Sequence, residues 1–99
     1  MATMDDYEKW EKAVENFIET EDDAELFGDP FEEDGATLTI FRERGFVSSP
    51  VTPKELRYVA DEAEKIMNKL DADESSVMWM PGGYSYEIII TWNQWDLEE

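Results

Sequence analysis

From Thr52 to Leu70 the apolar residues Leu56, Val59, Ala60, Ala63, Ile66, Met67 and Leu70 recur at helical spacing, whereas from Tyr84 to Trp92 one set recurs at every second position. A helix with a single apolar stripe and a strand with a strongly apolar face must bury those surfaces against each other, which restricts the chain to helices layered on a sheet. The helix has a defined start. Thr52 serves as N-cap, Pro53 takes the first helical position and Glu55 the third, the pattern of a capping box.

The same two periods recur elsewhere. Tyr7, Trp10, Ala13, Val14, Phe17 and Ile18 form one apolar stripe between Met4 and about Thr20, with Thr3 placed to cap it and Asp5 and Asp6 in the first turn. The segment Glu21 to Gly35 reads as a long loop pinned to the core by Leu26, Phe27 and Phe31. Ala36 to Phe41 reads as a strand with Leu38 and Ile40 on one face and Thr37, Thr39 and Phe41 on the other. Two continuations are open: the strand runs on through Glu43, or it turns at Arg44-Gly45 and Phe46-Val47-Ser48 forms a further short strand.

Val77 to Met80 and Tyr84 to Trp92 flank Pro81-Gly82-Gly83, a hairpin signal. Tyr84, Tyr86, Ile88, Ile90 and Trp92 share one face of the second run, and Ser85, Glu87, Ile89 and Thr91 the other. This run is the most apolar of the strands and therefore central, with the order first, third, second. The expected fold is α+β, two helices packed on a three-stranded or four-stranded antiparallel sheet in the order α-β-α-β-β. Residues 1–99 are expected to make one domain, and no internal repeat is visible.

Charge separates what the chain is expected to do from how it folds. Residues 1–34 carry 14 acids against two lysines, residues 35–70 five against six bases, and residues 71–99 seven against none, giving segment charges of −12, +1 and −7. Solubility asks for a net charge of only about 2 to 8 in a small domain. The excess opposes compaction by self-repulsion, so it points to a strongly basic partner. Adaptation to high salt would acidify every exposed face, yet the second helix keeps Lys54, Arg57, Lys65 and Lys69.

The composition narrows the chemistry. Cys and His are both absent, which removes thiolate nucleophiles, disulfides, Cys-based zinc sites and the commonest general base. With 26 acids in 99 residues, close carboxylate pairs arise by chance and single out no catalytic dyad. Asp71-Ala-Asp-Glu-Ser-Ser begins like a calcium loop, but it lacks the sixth-position Gly and has Gly82 where the twelfth-position Glu belongs. The expectation is a protein with no catalytic residue, cofactor or metal, located in the cytoplasm because no signal or membrane-spanning stretch is present.

Candidate partner-binding residues follow from spacing. Glu8, Glu11, Glu15 and Glu19 recur at three, four and four, a row of carboxylates along the first helix with neighbouring Cβ atoms about 5 to 6 Å apart. Glu21, Asp22, Asp23 and Glu25 prolong the row, and Asp29, Glu32, Glu33 and Asp34 form a second cluster. Trp95 lies beyond the last strand among acids, placed either to cap the core edge or to anchor a partner. Eighteen charges equal those on about 30 Å of duplex DNA, similar to the length expected of a compact domain of this size.

In size, in its lack of Cys and His, and in the acidic runs Glu19 to Glu25 and Glu32 to Asp34, the chain resembles as a type the small acidic DNA-mimic proteins of phages and mobile elements. Anti-CRISPR and anti-restriction proteins are among them. The resemblance implies a non-enzymatic inhibitor that binds a basic nucleic-acid-binding protein or complex of the host in the host cytoplasm, a CRISPR effector before a restriction enzyme, without itself binding nucleic acid or membrane. Two other functions remain open: an acidic adaptor for a basic protein unrelated to defence, contacting it through Trp95 and the C-terminal acids, and a carboxylate-based metal-binding domain.

Overall fold

The computed structural model describes residues 2–21, 23–44 and 50–96. Helix α1 spans Met4–Thr20, strand β1 Ala24–Gly28, β2 Ala36–Glu43, helix α2 Pro53–Lys69, β3 Glu74–Trp79 and β4 Ser85–Trp92, with a 3₁₀ turn over Pro81–Gly83. The four strands form one antiparallel sheet in the order β1-β2-β4-β3. Strand β4 is central, and β2 and β3 flank it as their apolar content predicts.

One element departs from expectation. Residues 24–28, expected within a loop, form the edge strand β1, so the order is α-β-β-α-β-β. Ala24 pairs with Ile40 and Leu26 with Leu38, which turns both inward, while Glu25 and Phe27 face out. An outward Phe beside an inward Leu hides the alternation, and an edge strand needs partners on one side only. The β2 strand continues through Glu43; the alternative strand at Phe46-Val47-Ser48 lies outside the described residues. Strand β3 begins at Glu74 rather than Val77, because Ser75 pairs with Ile90 and turns toward the helices while Glu74 and Ser76 turn away.

The architecture is repeated although the sequence is not. Each half is a 17-residue helix followed by an antiparallel hairpin. Thr3 and Thr52 occupy matching N-cap positions, and the buried Trp10, Val14 and Phe17 of α1 match the buried Val59, Ala63 and Ile66 of α2. The pairs Ala24–Ile40 and Leu26–Leu38 correspond to Ser75–Ile90 and Val77–Ile88. A common binary pattern suffices to produce this pseudo-twofold arrangement from different side chains.

The capping differs between the halves. Thr3 and Asp6 complete a capping box on α1, with the Thr3 backbone N–H donating to Asp6 at 2.8 Å. On α2, Thr52 accepts from the Glu55 backbone N–H as expected, but the Glu55 carboxylate is taken by Arg44 at 2.8 and 3.0 Å. Helix α2 ends in a Schellman turn: Ala72 N–H donates to Met67 and Asp71 adopts φ 52°.

Both helices cover one sheet face. Leu38, Ile40, Ile88, Ile90 and Trp92 are fully buried there, under Trp10, Val14 and Phe17 of α1 and Val59, Ala63 and Ile66 of α2. Among the described residues, no helix lies over the other face.

Candidate functional site

The acids of α1 stand where helical geometry puts them. Trp10, Val14 and Phe17 point into the core, and Glu8, Glu11, Glu15 and Glu19 are exposed on the far side of the helix. From Glu8 to Glu19 the ridge runs about 16 Å at 1.5 Å per residue.

The second acidic group lies beside it, because both ends of α1 are tied to the β1–β2 hairpin. At the N-terminal half, Tyr7 stacks on Phe31 at 5.3 Å between ring centroids. A hydrogen bond from the Tyr7 hydroxyl to Asp29, with burial adding to it, pushes the Tyr7 pKa up to about 12. At the C-terminal end the chain enters β1 after a three-residue connection, residues 21–23. Asp23, Glu25, Glu32, Glu33 and Asp34 are all exposed along this hairpin.

Two of the candidate acids have structural work instead. Glu21 accepts two hydrogen bonds from Arg42, at 2.6 and 3.1 Å, and that pairing holds its pKa below the ordinary carboxylate value. Asp29 closes the hairpin loop by accepting from Phe31 N–H at 2.8 Å as well as engaging Tyr7. Asp22 lies outside the described residues. Trp95 is half-buried: its indole meets Trp10 edge-on at 6.4 Å and Phe31 at 6.0 Å, and its backbone N–H donates to Pro30 at 2.6 Å. It therefore seals the aromatic edge of the core, and only its remaining rim is open to a partner.

Two bases of the middle segment, Arg42 and Arg44, are also committed. Arg42 binds Glu21 and Glu62, and the nearly buried Arg44 side chain binds Glu55 and donates to the Gly83 carbonyl at 2.6 Å. These are the ion pairs among the described residues, and they join strands to helices. They leave the α1 ridge and the hairpin acids outside any ion pair within that described set.

Acids from the two ends of the chain meet at one place. Asp6, Asp71 and Asp96 line a groove of about 590 Å³ where the start of α1 meets the end of α2, and Lys9, Lys69 and Trp10 line it too. Ala2 N–H donates to the Asp96 carbonyl across this end. Mixed charge makes the groove a poor match for a purely cationic surface. No group of three or more potential metal ligands occurs among the described residues, and Asp73, from the calcium-like run, accepts from Asn93 N–H at 2.8 Å.

Length corrects the charge comparison. The molecule measures 52 × 23 × 20 Å, so a net charge of −18 is spread at about one per 3 Å of its long axis. Duplex DNA carries about one per 1.7 Å and each strand one per about 3.4 Å. The density is that of a single strand rather than a duplex. Comparison with protein families, curated proteins and solved structures finds no match.

Proposed function

We propose that this chain is a non-enzymatic inhibitor, encoded by a phage or mobile element, that occupies the Lys/Arg-lined nucleic-acid channel of a host defence complex in place of DNA. A CRISPR effector is the favoured target and a restriction enzyme the next. The observation that carries this reading is the α1 ridge of Glu8, Glu11, Glu15 and Glu19, exposed along its whole length beside the exposed acids of the β1–β2 hairpin. A ridge of that kind costs the isolated helix stability, since like charges one turn apart repel. A basic channel would turn that cost into attraction and would release the counterions both surfaces hold.

Linear density supports a strand-like mimic, one that fills the path of a single backbone within the channel. The chain would act by occupancy in the host cytoplasm, with no cofactor. No helix among the described residues is long and apolar enough to cross a membrane, in keeping with a partner met in solution.

The test uses purified CRISPR effectors and restriction enzymes with fluorescent DNA. The chain is expected to displace the DNA from its target, less effectively as salt rises, and excess DNA is expected to reverse the inhibition. Displacement of unchanged strength in high salt would count against mimicry and favour an apolar adaptor contact.

A further inference from the structure

The sheet face that carries no helix among the described residues is a surface whose purpose the core does not explain. Pairing across the strands defines its rows. One runs Phe27, Thr37, Thr91, Glu74; the next runs Glu25, Thr39, Ile89, Ser76; the third contains Phe41, Glu87 and Met78. Phe27 is 59% exposed and Met78 53% exposed, at opposite edges, with Phe41 and Ile89 half-buried between them. The middle is thus apolar and threonine-rich.

Its charge has one sign. Glu25, Glu43, Glu74 and Glu87 lie on this face, and the one base in the four strands, Arg42, shares the phase of Leu38 and Ile40 and points to the helices. A depression of about 340 Å³ is lined by Thr39 and Phe41 together with Asp23, Glu25 and Glu87. A cation entering it would meet three acidic residues and an aromatic one, a combination that favours Arg or Lys.

We infer that this open face docks a basic protein surface with an apolar centre, seating an Arg or Lys side chain in the depression that Phe41 lines. Charge complementarity selects that occupant. A second copy would press acids against acids across the same face, which an isologous contact cannot avoid and which opposes pairing. The sheet face spans only about 400 Å² at normal strand spacing, roughly half of what one partner contributes to a stable interface. Docking there would thus extend onto neighbouring surface, and the β1 edge is continuous with the hairpin acids. The inference rests on the proposed function only in taking the partner to be basic.

The probe is a synthetic octapeptide of alternating Arg and Leu, titrated into isotopically labelled protein at 150 mM NaCl and followed by amide NMR shifts. Shifts are expected at Thr39, Phe41, Glu87 and Ile89. The double variant Glu25→Lys, Glu87→Lys is expected to weaken binding tenfold or more, while the charge-matched Asp61→Lys, Glu64→Lys, at exposed positions of α2, changes it less than threefold. Circular dichroism confirms folding, and Glu25→Gln, Glu87→Gln replaces the lysine variant if that one unfolds, with at least a threefold loss expected. Shifts confined to α1 would overturn the open face as the docking surface and leave the proposed function standing. Absence of binding at millimolar peptide, or concentration-dependent shifts of this face without peptide, would also overturn it, and DNA displacement would still decide the proposed function separately.

Discussion

Arg42 holds Glu21 and Glu62 at once, its guanidinium 2.6 Å from the first and 3.0 Å from the second, so one β2 side chain ties the end of α1 to the middle of α2. The side chains of the three are between 20% and 30% exposed. Removing the cation leaves two carboxylates facing each other in a partly desolvated site. Arg42→Ala is expected to destabilise the fold by about 2 to 3 kcal/mol, less than for a fully buried pair because water still screens it. Urea unfolding measures this. The Glu21 pKa is lowered by the pairing, so the stability it contributes is present above its unfolded value near 4.5 and is lost as pH falls through the folded value. Glu21→Gln should therefore be less stable than the parent at pH 7 and converge on it once the pH has fallen below the folded value.

Trp92 and Trp10 pack edge-on at 5.6 Å, but only one has its indole hydrogen bond. Trp92 Nε1 donates to the Leu70 carbonyl at 3.2 Å, while Trp10 Nε1 is buried with no partner among the described residues. Substitution by Phe removes similar volume from each. Trp92→Phe also orphans the carbonyl that closes α2, whereas Trp10→Phe deletes an unsatisfied donor. Trp92→Phe is expected to cost more, by about 1 to 2 kcal/mol, in matched thermal or urea unfolding.

Two positions with left-handed backbone predict opposite signs. Gly35 has φ 69°, and a Cβ there would run into the Trp92 carbonyl, so Gly35→Ala is expected to destabilise by 2 kcal/mol or more, at about the level of other strained turn substitutions. Asp71 at φ 52° fills the place a Schellman turn usually gives to glycine. Asp71→Gly is expected to stabilise by about 1 kcal/mol. Differential scanning calorimetry separates the two.

Salt should act in opposite directions on stability and on binding. Screening relieves self-repulsion in a chain of net charge −18, so raising NaCl from 10 to 150 mM is expected to raise the melting temperature by several degrees. The same change is expected to weaken association with a basic partner at least tenfold. Calorimetry and binding measured across one salt series check both halves.

Much of this architecture can be read from residue spacing. The α1 stripe ends at Thr20 as read, the Thr52-Pro53 start is where α2 begins, and of the alternation read from Tyr84 to Trp92 the part from Tyr86 faces the core, whereas Tyr84 precedes β4 and is exposed. The edge strand β1 escapes such reading because Phe27 is apolar yet faces outward and Gly28 closes the run early. Arg42 and Arg44 look in the sequence like exposed bases near a strand end; their roles depend on Glu21, Glu55 and Glu62, distant in the chain and brought near by the helices. The exposure of Glu8, Glu11, Glu15 and Glu19 follows directly from helical period. That Glu21 and Asp29 are engaged internally does not, since nothing local distinguishes them from their acidic neighbours. The single-signed open face is likewise invisible until strand register places Glu25, Glu74 and Glu87 together.

The central claim is that the α1 ridge stands in for nucleic acid, and charge reversal tests it most directly. Fluorescent DNA bound to a defence complex that the chain inhibits is titrated with the parent protein and with Glu8→Lys, Glu11→Lys, Glu15→Lys, Glu19→Lys, folding being checked by circular dichroism. The parent is expected to displace the DNA and the folded quadruple variant to need at least a hundredfold higher concentration. Equal displacement by both proteins would contradict the claim.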